Sequence, residues 1–218
     1  MRITQIKQWL IQKCFRWLPE DQDELWKWSY TGRIMHPAWT LPNFEDQIEE
    51  ATAGCYLVPI FSEEYCDWLI AQAEASQAWS FDRTDEYSAW EIPLEKLHHG
   101  FVDVYHKEIV IRQNLAERVL DGLFQWEPEG VEKAFLIKYI EGTCVKMDMH
   151  HDHNSIVSMS INLNDEFEGG ELAFIRTPED KASQRKGWAA IFSGGPTMSH
   201  QALPITKGVR YVLVYWIL

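Results

Sequence analysis

Apolar positions along the chain change period near its middle. In the first part they recur at helical spacing. Ile3, Ile6, Leu10, Cys14 and Trp17 share one side of a helix predicted over 3–18, with Lys7, Lys13 and Arg16 among its polar positions. A basic amphipathic helix of this kind can pack on a domain or lie on a membrane surface, and packing is the simpler reading. Residues 19–50 are rich in acids, Trp and Pro, with Trp26, Trp28, Trp39, Pro37 and Pro42. They read as an extension, so the chain divides into 1–50 and a domain at 51–218. A short strand is predicted at 56–61, where Pro59 favours an edge or a break. Ser62 then has the chemistry of an N-cap, with Glu63 and Glu64 in the first turn of a helix running to about residue 76. Tyr65, Cys66, Leu69, Ile70 and Ala73 form its apolar face. A second helix is predicted over 106–124, striped by Ile111, Leu115, Val119 and Leu123.

Beyond residue 133 the segments are short and strand-like: 134–140, 145–150, 156–163, 171–175, 188–192 and 209–217. Turn dipeptides separate them, among them Glu141-Gly142, Asn164-Asp165, Gly169-Gly170 and Lys207-Gly208. Strands at this spacing indicate a sandwich or barrel. Helices precede strands, so the fold class is α+β.

Composition narrows the function. Apolar residues make up 46 % of 218, enough for a full core. Asp and Glu outnumber Lys and Arg, giving a net charge of −13, which argues against nucleic acid as a partner. The longest apolar runs are about seven residues, whereas a membrane span needs about 20. Gln8, Gln12, Lys13 and Arg16 interrupt any signal-peptide core. Cys14, Cys55, Cys66 and Cys144 are scattered, as expected in a reducing compartment, so a cytoplasmic location is expected.

The chemistry gathers in His150-His151-Asp152-His153. On a strand, His150 and Asp152 point one way, and His151 and His153 the other. The second register lacks a third ligand, because Val157 and Ser158 stand where a cupin-like site wants Glu. The first register can be completed by His200, which follows a Gly-Gly-Pro turn. Two His and one carboxylate form a facial triad suited to non-haem Fe(II), with coordination positions left for substrate and O2. Arg210 lies ten residues after His200, on the next strand candidate. Its guanidinium can grip a carboxylate through two parallel hydrogen bonds. A dicarboxylate such as 2-oxoglutarate would span from iron to Arg210. The competing reading, a surface HHDH turn with an exposed His200 and Arg210, leaves the joint spacing to chance.

These residues, together with Phe135-Leu136-Ile137-Lys138-Tyr139, Phe167-Glu168-Gly169-Gly170-Glu171-Leu172, Lys186-Gly187-Trp188 and His200 through Tyr211, resemble the 2-oxoglutarate- and Fe(II)-dependent oxygenases. Within them the chain is most similar to the catalytic domain of procollagen lysyl hydroxylases, in the prolyl/lysyl hydroxylase group. Residues 57–62, Cys66-Asp67 and Trp90-Glu91-Ile92-Pro93 carry a thinner similarity. The resemblance implies a double-stranded β-helix (jelly-roll) core with flanking helices. It implies iron on His150, Asp152 and His200, and 2-oxoglutarate on Arg210 with a hydrogen bond from Tyr139. It also implies ascorbate as the reductant that rescues oxidised iron, and often a homodimer. The expected reaction hydroxylates a C–H bond while 2-oxoglutarate becomes succinate and CO2. Peptidyl lysine is the preferred substrate, with peptidyl proline or a free amino acid as alternatives. A non-catalytic metal-binding jelly roll is the reading from another class.

Overall fold

The strand-rich part of the chain folds as two antiparallel sheets packed face to face. The structure is a computed structural model and describes residues 34–81, 89–97, 106–144, 146–182 and 185–218. The helix expected over 3–18 and the pair His98-His99 lie outside these residues. In chain order come β1 (Glu49–Thr52), β2 (Cys55–Pro59), helix α1 (Glu63–Ser76), β3 (Ser80–Phe81) and β4 (Trp90–Pro93). A π-helix (His106–Leu120) continues into an α-helical turn (Asp121–Phe124). Then follow β5 (Val131–Ile140), β6 (Met147–His150), β7 (Val157–Asn162), β8 (Phe167–Gly169), β9 (Leu172–Phe174), β10 (Thr177–Ala182), β11 (Trp188–Ser193), β12 (His200–Ala202) and β13 (Ile205–Ile217).

The major sheet runs β1-β2-β11-β7-β13-β5-β4-β3, with β8 paired to part of β13. The minor sheet runs β10-β9-β12-β6. Inner faces meet in two clusters. Cys55, Leu57, Ala190 and Phe192 of the major sheet pack on Leu172, Phe174 and Met198. Ile137, Tyr139 and Val212 pack on Met147, Ala202 and Ile205. This is a jelly-roll core with flanking helices.

The N-cap expectation holds: Ser62 Oγ accepts from the Tyr65 amide at 3.1 Å, and Tyr65, Cys66, Leu69 and Ala73 are buried. Ile70 is only half-buried. The second helix is wound with π geometry over most of its length. A turn wider than 3.6 residues keeps a strict i, i+4 repeat on one side, and Ile111, Leu115 and Val119 are all buried. Of the two expectations for Pro59, the break holds and the edge does not. Pro59 is the last residue of β2, which lies between β1 and β11, where its missing N–H falls at the strand end. Residues 34–50 belong to the same compact unit as the rest, Ile34–Leu218, and Phe44 is fully buried.

Alternation on the long β13 decides what faces the interior. Arg210, Val212, Val214 and Trp216 point into the space between the sheets, and Leu213, Tyr215 and Ile217 are buried on the other face. Behind β13, His106 bridges the hydroxyls of Tyr65 and Tyr215, so the helices are hydrogen-bonded to the back of the major sheet.

Candidate metal centre and co-substrate cavity

His150 and His200 are direct cross-strand partners on β6 and β12, which puts their rings side by side with centroids 4.5 Å apart. Asp152 follows two residues after β6 ends. One carboxylate oxygen lies 3.6 Å from His150 Nε2 and the other 3.9 Å from His200 Nε2. The ligand atoms of the three residues all fall within 4.8 Å of one another. Cis ligands about 2.1 Å from one ion sit roughly 3 Å apart, so small side-chain movements bring all three onto a metal.

The tautomers fit as well. His150 Nδ1 donates to the Asp148 carbonyl at 2.7 Å, and His200 Nδ1 donates to the Met198 carbonyl at 3.1 Å. A carbonyl can only accept, so each Nδ1 carries the proton and each Nε2 offers a lone pair toward Asp152. Burial pushes the His200 imidazole down to about 4, opposed by the Asp152 charge, so it stays neutral as a metal ligand must. Phe192 and Phe174 pack on its ring, with centroids at 4.6 and 6.0 Å.

Arg210 is 2 % exposed. Asn162 Oδ1 accepts from both its Nε and its Nη2, at 3.0 and 2.8 Å. The rings of Tyr139, its cross-strand partner, and Phe167 flank its Cζ at 5.5 and 5.7 Å. Asn164 pins the strand on either side, donating to the Val209 carbonyl and accepting from the Tyr211 amide. Gly170 completes the cradle. Its φ is +76°, and a Cβ there would sit 3.1 Å from Arg210 Cδ and 2.9 Å from Ile205 Cγ2. Burial lowers the Arg210 pKa and raises that of Tyr139, whose phenol therefore stays protonated beside the guanidinium.

One cavity of about 150 Å³ joins these groups. His150, Asp152 and His200 line it from the minor sheet side, and Tyr139 and Arg210 from the major sheet. At roughly 10–15 Å³ per water-sized group it holds a molecule of about ten non-hydrogen atoms, the size of 2-oxoglutarate.

Two expectations need correction. His151 and His153 were expected to face away from the metal, yet both border the cavity as exposed side chains. The strand ends at His150, so alternation no longer governs the residues after it. His200 and Arg210 were expected on adjacent strands. They sit on opposite sheets, because the chain crosses over between β12 and β13. Lys138 and Lys207, two further cations close to the motif in sequence, pair with Glu74 and Glu168 and do not line the cavity. No role at the site is legible in the sequence for Ser158, Asn162, Asn164, Gly170 or Trp216.

Residues 134–218 match the family described as the 2OG-Fe(II) oxygenase superfamily. The matched segment is 85 of the 218 residues. It holds the whole His-Asp-His triad and Arg210, so the described residues carry the machinery of a 2OG-Fe(II) oxygenase. Procollagen-lysine,2-oxoglutarate 5-dioxygenase of Drosophila melanogaster is 28 % identical over 204 residues, which is 87 % of this chain and 28 % of the relative. The human form 2 is 28 % identical over 200 residues, covering 88 % and 27 %. The chain thus spans little more than a quarter of these relatives. Among solved structures, a Pseudomonas putida prolyl-4-hydroxylase aligns with TM-score 0.60 at 16 % identity, covering 75 % of this chain and 91 % of that one. A viral collagen prolyl hydroxylase from Paramecium Bursaria Chlorella virus-1 aligns at 0.57 and 17 %, covering 75 % and 94 %. These likenesses show the shared fold. Among the described residues, no helix is long and apolar enough to cross a membrane.

Proposed function

We propose that the chain is an Fe(II)- and 2-oxoglutarate-dependent hydroxylase acting on peptidyl lysine. The observation that carries the reaction class is the convergence of the triad and the Arg210 cradle on one cavity. Fe(II) and 2-oxoglutarate, when bound, supply oxidative decarboxylation to succinate and CO2 coupled to hydroxylation of a C–H bond. His150, Asp152 and His200 hold the metal. Arg210 pairs with the far carboxylate of 2-oxoglutarate, and the Tyr139 hydroxyl adds a hydrogen bond to it. Asn162 fixes the guanidinium so that it does not have to be ordered when the co-substrate arrives. Phe192 and Phe174 keep water from the His200 side of the metal.

Lysine is preferred because the curated relatives at 28 % identity are named for procollagen lysine. Ascorbate as reductant, and a homodimer, belong to the same proposal. The test is incubation with Fe(II), 2-oxoglutarate and ascorbate, following succinate by NMR under air and under nitrogen. Lysyl and prolyl peptides and free amino acids are then searched by mass spectrometry for the gain of one oxygen atom. Succinate that forms without O2, or fails to form in any mixture, removes the oxygenase reading. A product on proline alone moves the substrate.

A further inference from the structure

At the end of the cavity away from Arg210, three strands set a row of donors side by side. Lys133 on β5, Trp216 on β13 and Ser158 on β7 are consecutive cross-strand partners. All three line the cavity. Direct partners hold their Cβ atoms about 4.5–5.5 Å apart, so the row spans roughly 10 Å. Six residues along β13 separate it from Arg210, roughly 20 Å at 3.4 Å per residue. A co-substrate held at Arg210 leaves this row to something else.

Among the described residues, Ser158 Oγ and the Trp216 indole N–H are buried polar atoms with no hydrogen-bond partner. Ser158 is 1 % exposed. A buried polar group left unmade is costly, and the two residues that carry these atoms are neighbours in the cavity lining, where one ligand could satisfy both. Lys133 is exposed, with its ammonium 4.8 Å from the centre of the Trp216 ring, and no ion pair ties it to an acid among the described residues. The cavity's own carboxylates are elsewhere. Asp152 is in the triad, and Glu91 lies beside Ile137, four residues up β5. The indole can only donate, the hydroxyl can donate, and the ammonium adds positive charge. An acceptor bearing negative charge answers all three.

We infer that the Lys133–Trp216–Ser158 row is a carboxylate subsite for the substrate to be hydroxylated. The inference rests on the oxygenase reading for its role, not for its existence. The carboxylate comes either from an acidic side chain beside the target residue of a peptide or from the α-carboxylate of a free amino acid. Both sources share the chemistry, and the test separates them.

The test uses the full chain without metal, so it stands apart from turnover. The Trp216 indole N–H resonance is identified in heteronuclear NMR spectra by its loss in Trp216→Phe. L-lysine is titrated against L-lysinamide, and the blocked peptide acetyl-Gly-Lys-Glu-amide against acetyl-Gly-Lys-Gln-amide. The carboxylate member of at least one pair is expected to move the Trp216 resonance and to bind at least tenfold tighter than its amide. Ser158→Ala should weaken that binding about tenfold, and Lys133→Met about threefold to fivefold, as befits an exposed charge. A shift with L-lysine alone assigns the α-carboxylate, and one with the Glu peptide alone assigns an acidic side chain. Either supports the subsite. Equal response to acid and amide, no response at tens of millimolar, or an acid preference untouched by Lys133→Met overturns it. Succinate formation judges the oxygenase reading separately, and either result can fail without the other.

Discussion

The two faces of β13 both bury polar side chains, and they do so to different ends. On the front, Arg210 keeps its charge in a cradle of Asn162, Tyr139 and Phe167 that opens on the cavity. On the back, Tyr215 meets His106, which also meets Tyr65, and all three are fully buried. Burial pushes the His106 imidazole down to about 3, so this group is neutral. The front thus retains a charge where a ligand can use it, whereas the back converts its polarity into hydrogen bonds between helix and sheet. Front substitutions should therefore change binding at little cost to stability, and back substitutions should do the reverse.

The largest effect tests the front. His150→Ala, Asp152→Ala and His200→Ala should each lose most bound iron by elemental analysis while unfolding near the parent temperature. His151→Ala and His153→Ala should keep iron. Iron retained by His150→Ala but lost by His151→Ala would assign the other register.

His106→Phe tests the back. Removing the imidazole takes a partner from two buried hydroxyls, a cost of about 2–4 kcal/mol at pH 7 with iron content unchanged. The same residue carries a pH signature. The unfolded imidazole takes a proton below its ordinary value of 6.5, while the native one resists until about 3. Its contribution is complete above pH 6.5, drains as pH falls, and is gone by about pH 3. The slope approaches about 1.4 kcal/mol per pH unit. The stability gap between parent and His106→Phe, from urea unfolding, should narrow by about 1–2 kcal/mol between pH 7 and 5. A gap that stays constant would mean that His106 takes up its proton as readily in the fold as in the unfolded chain.

Arg210→Ala should raise the 2-oxoglutarate dissociation constant at least tenfold, the equivalent of losing about 1.5–3 kcal/mol of charge-assisted pairing. Anaerobic titration of the Fe(II)–2-oxoglutarate absorption band reads it, with iron content checked in parallel. Arg210→Lys should fall between, since it keeps the charge and loses the fork. The smallest effect belongs to Asn162→Ala, with a weakening of about threefold to tenfold. An unchanged constant there would show that the ring stack alone orders Arg210.

What could be read from sequence follows the strength of local signals. Ser62 with two acids after it located α1, and turn dipeptides located six strands. The triad and Arg210 stood out because they combine rare residue types at fixed spacing. The π winding was hidden, because an i, i+4 repeat looks the same in both helices. β12 has only three residues, too few to show a period, so the sheet holding His200 could not be assigned. Ser158 and Asn162 were invisible for another reason. All six residues of β7 are buried, so no alternation marks which of them face the cavity.

The crossing from β12 to β13 leaves two residues, Leu203 and Pro204, between strands that carry the metal ligand and the anion grip. Gly208 then fixes the entry into β13, since at φ +82° an added Cβ would lie 2.7 Å from the Glu166 carbonyl. Because side chains alternate, a one-residue insertion or deletion in this link that slid β13 against its neighbours would present Tyr211 to the cavity and send Arg210 to the back. The same slip would pull Tyr215 from His106. Length change here is thus forbidden twice over, once by chemistry and once by folding. A library of loop-length variants should therefore find this link among the least tolerant in the chain.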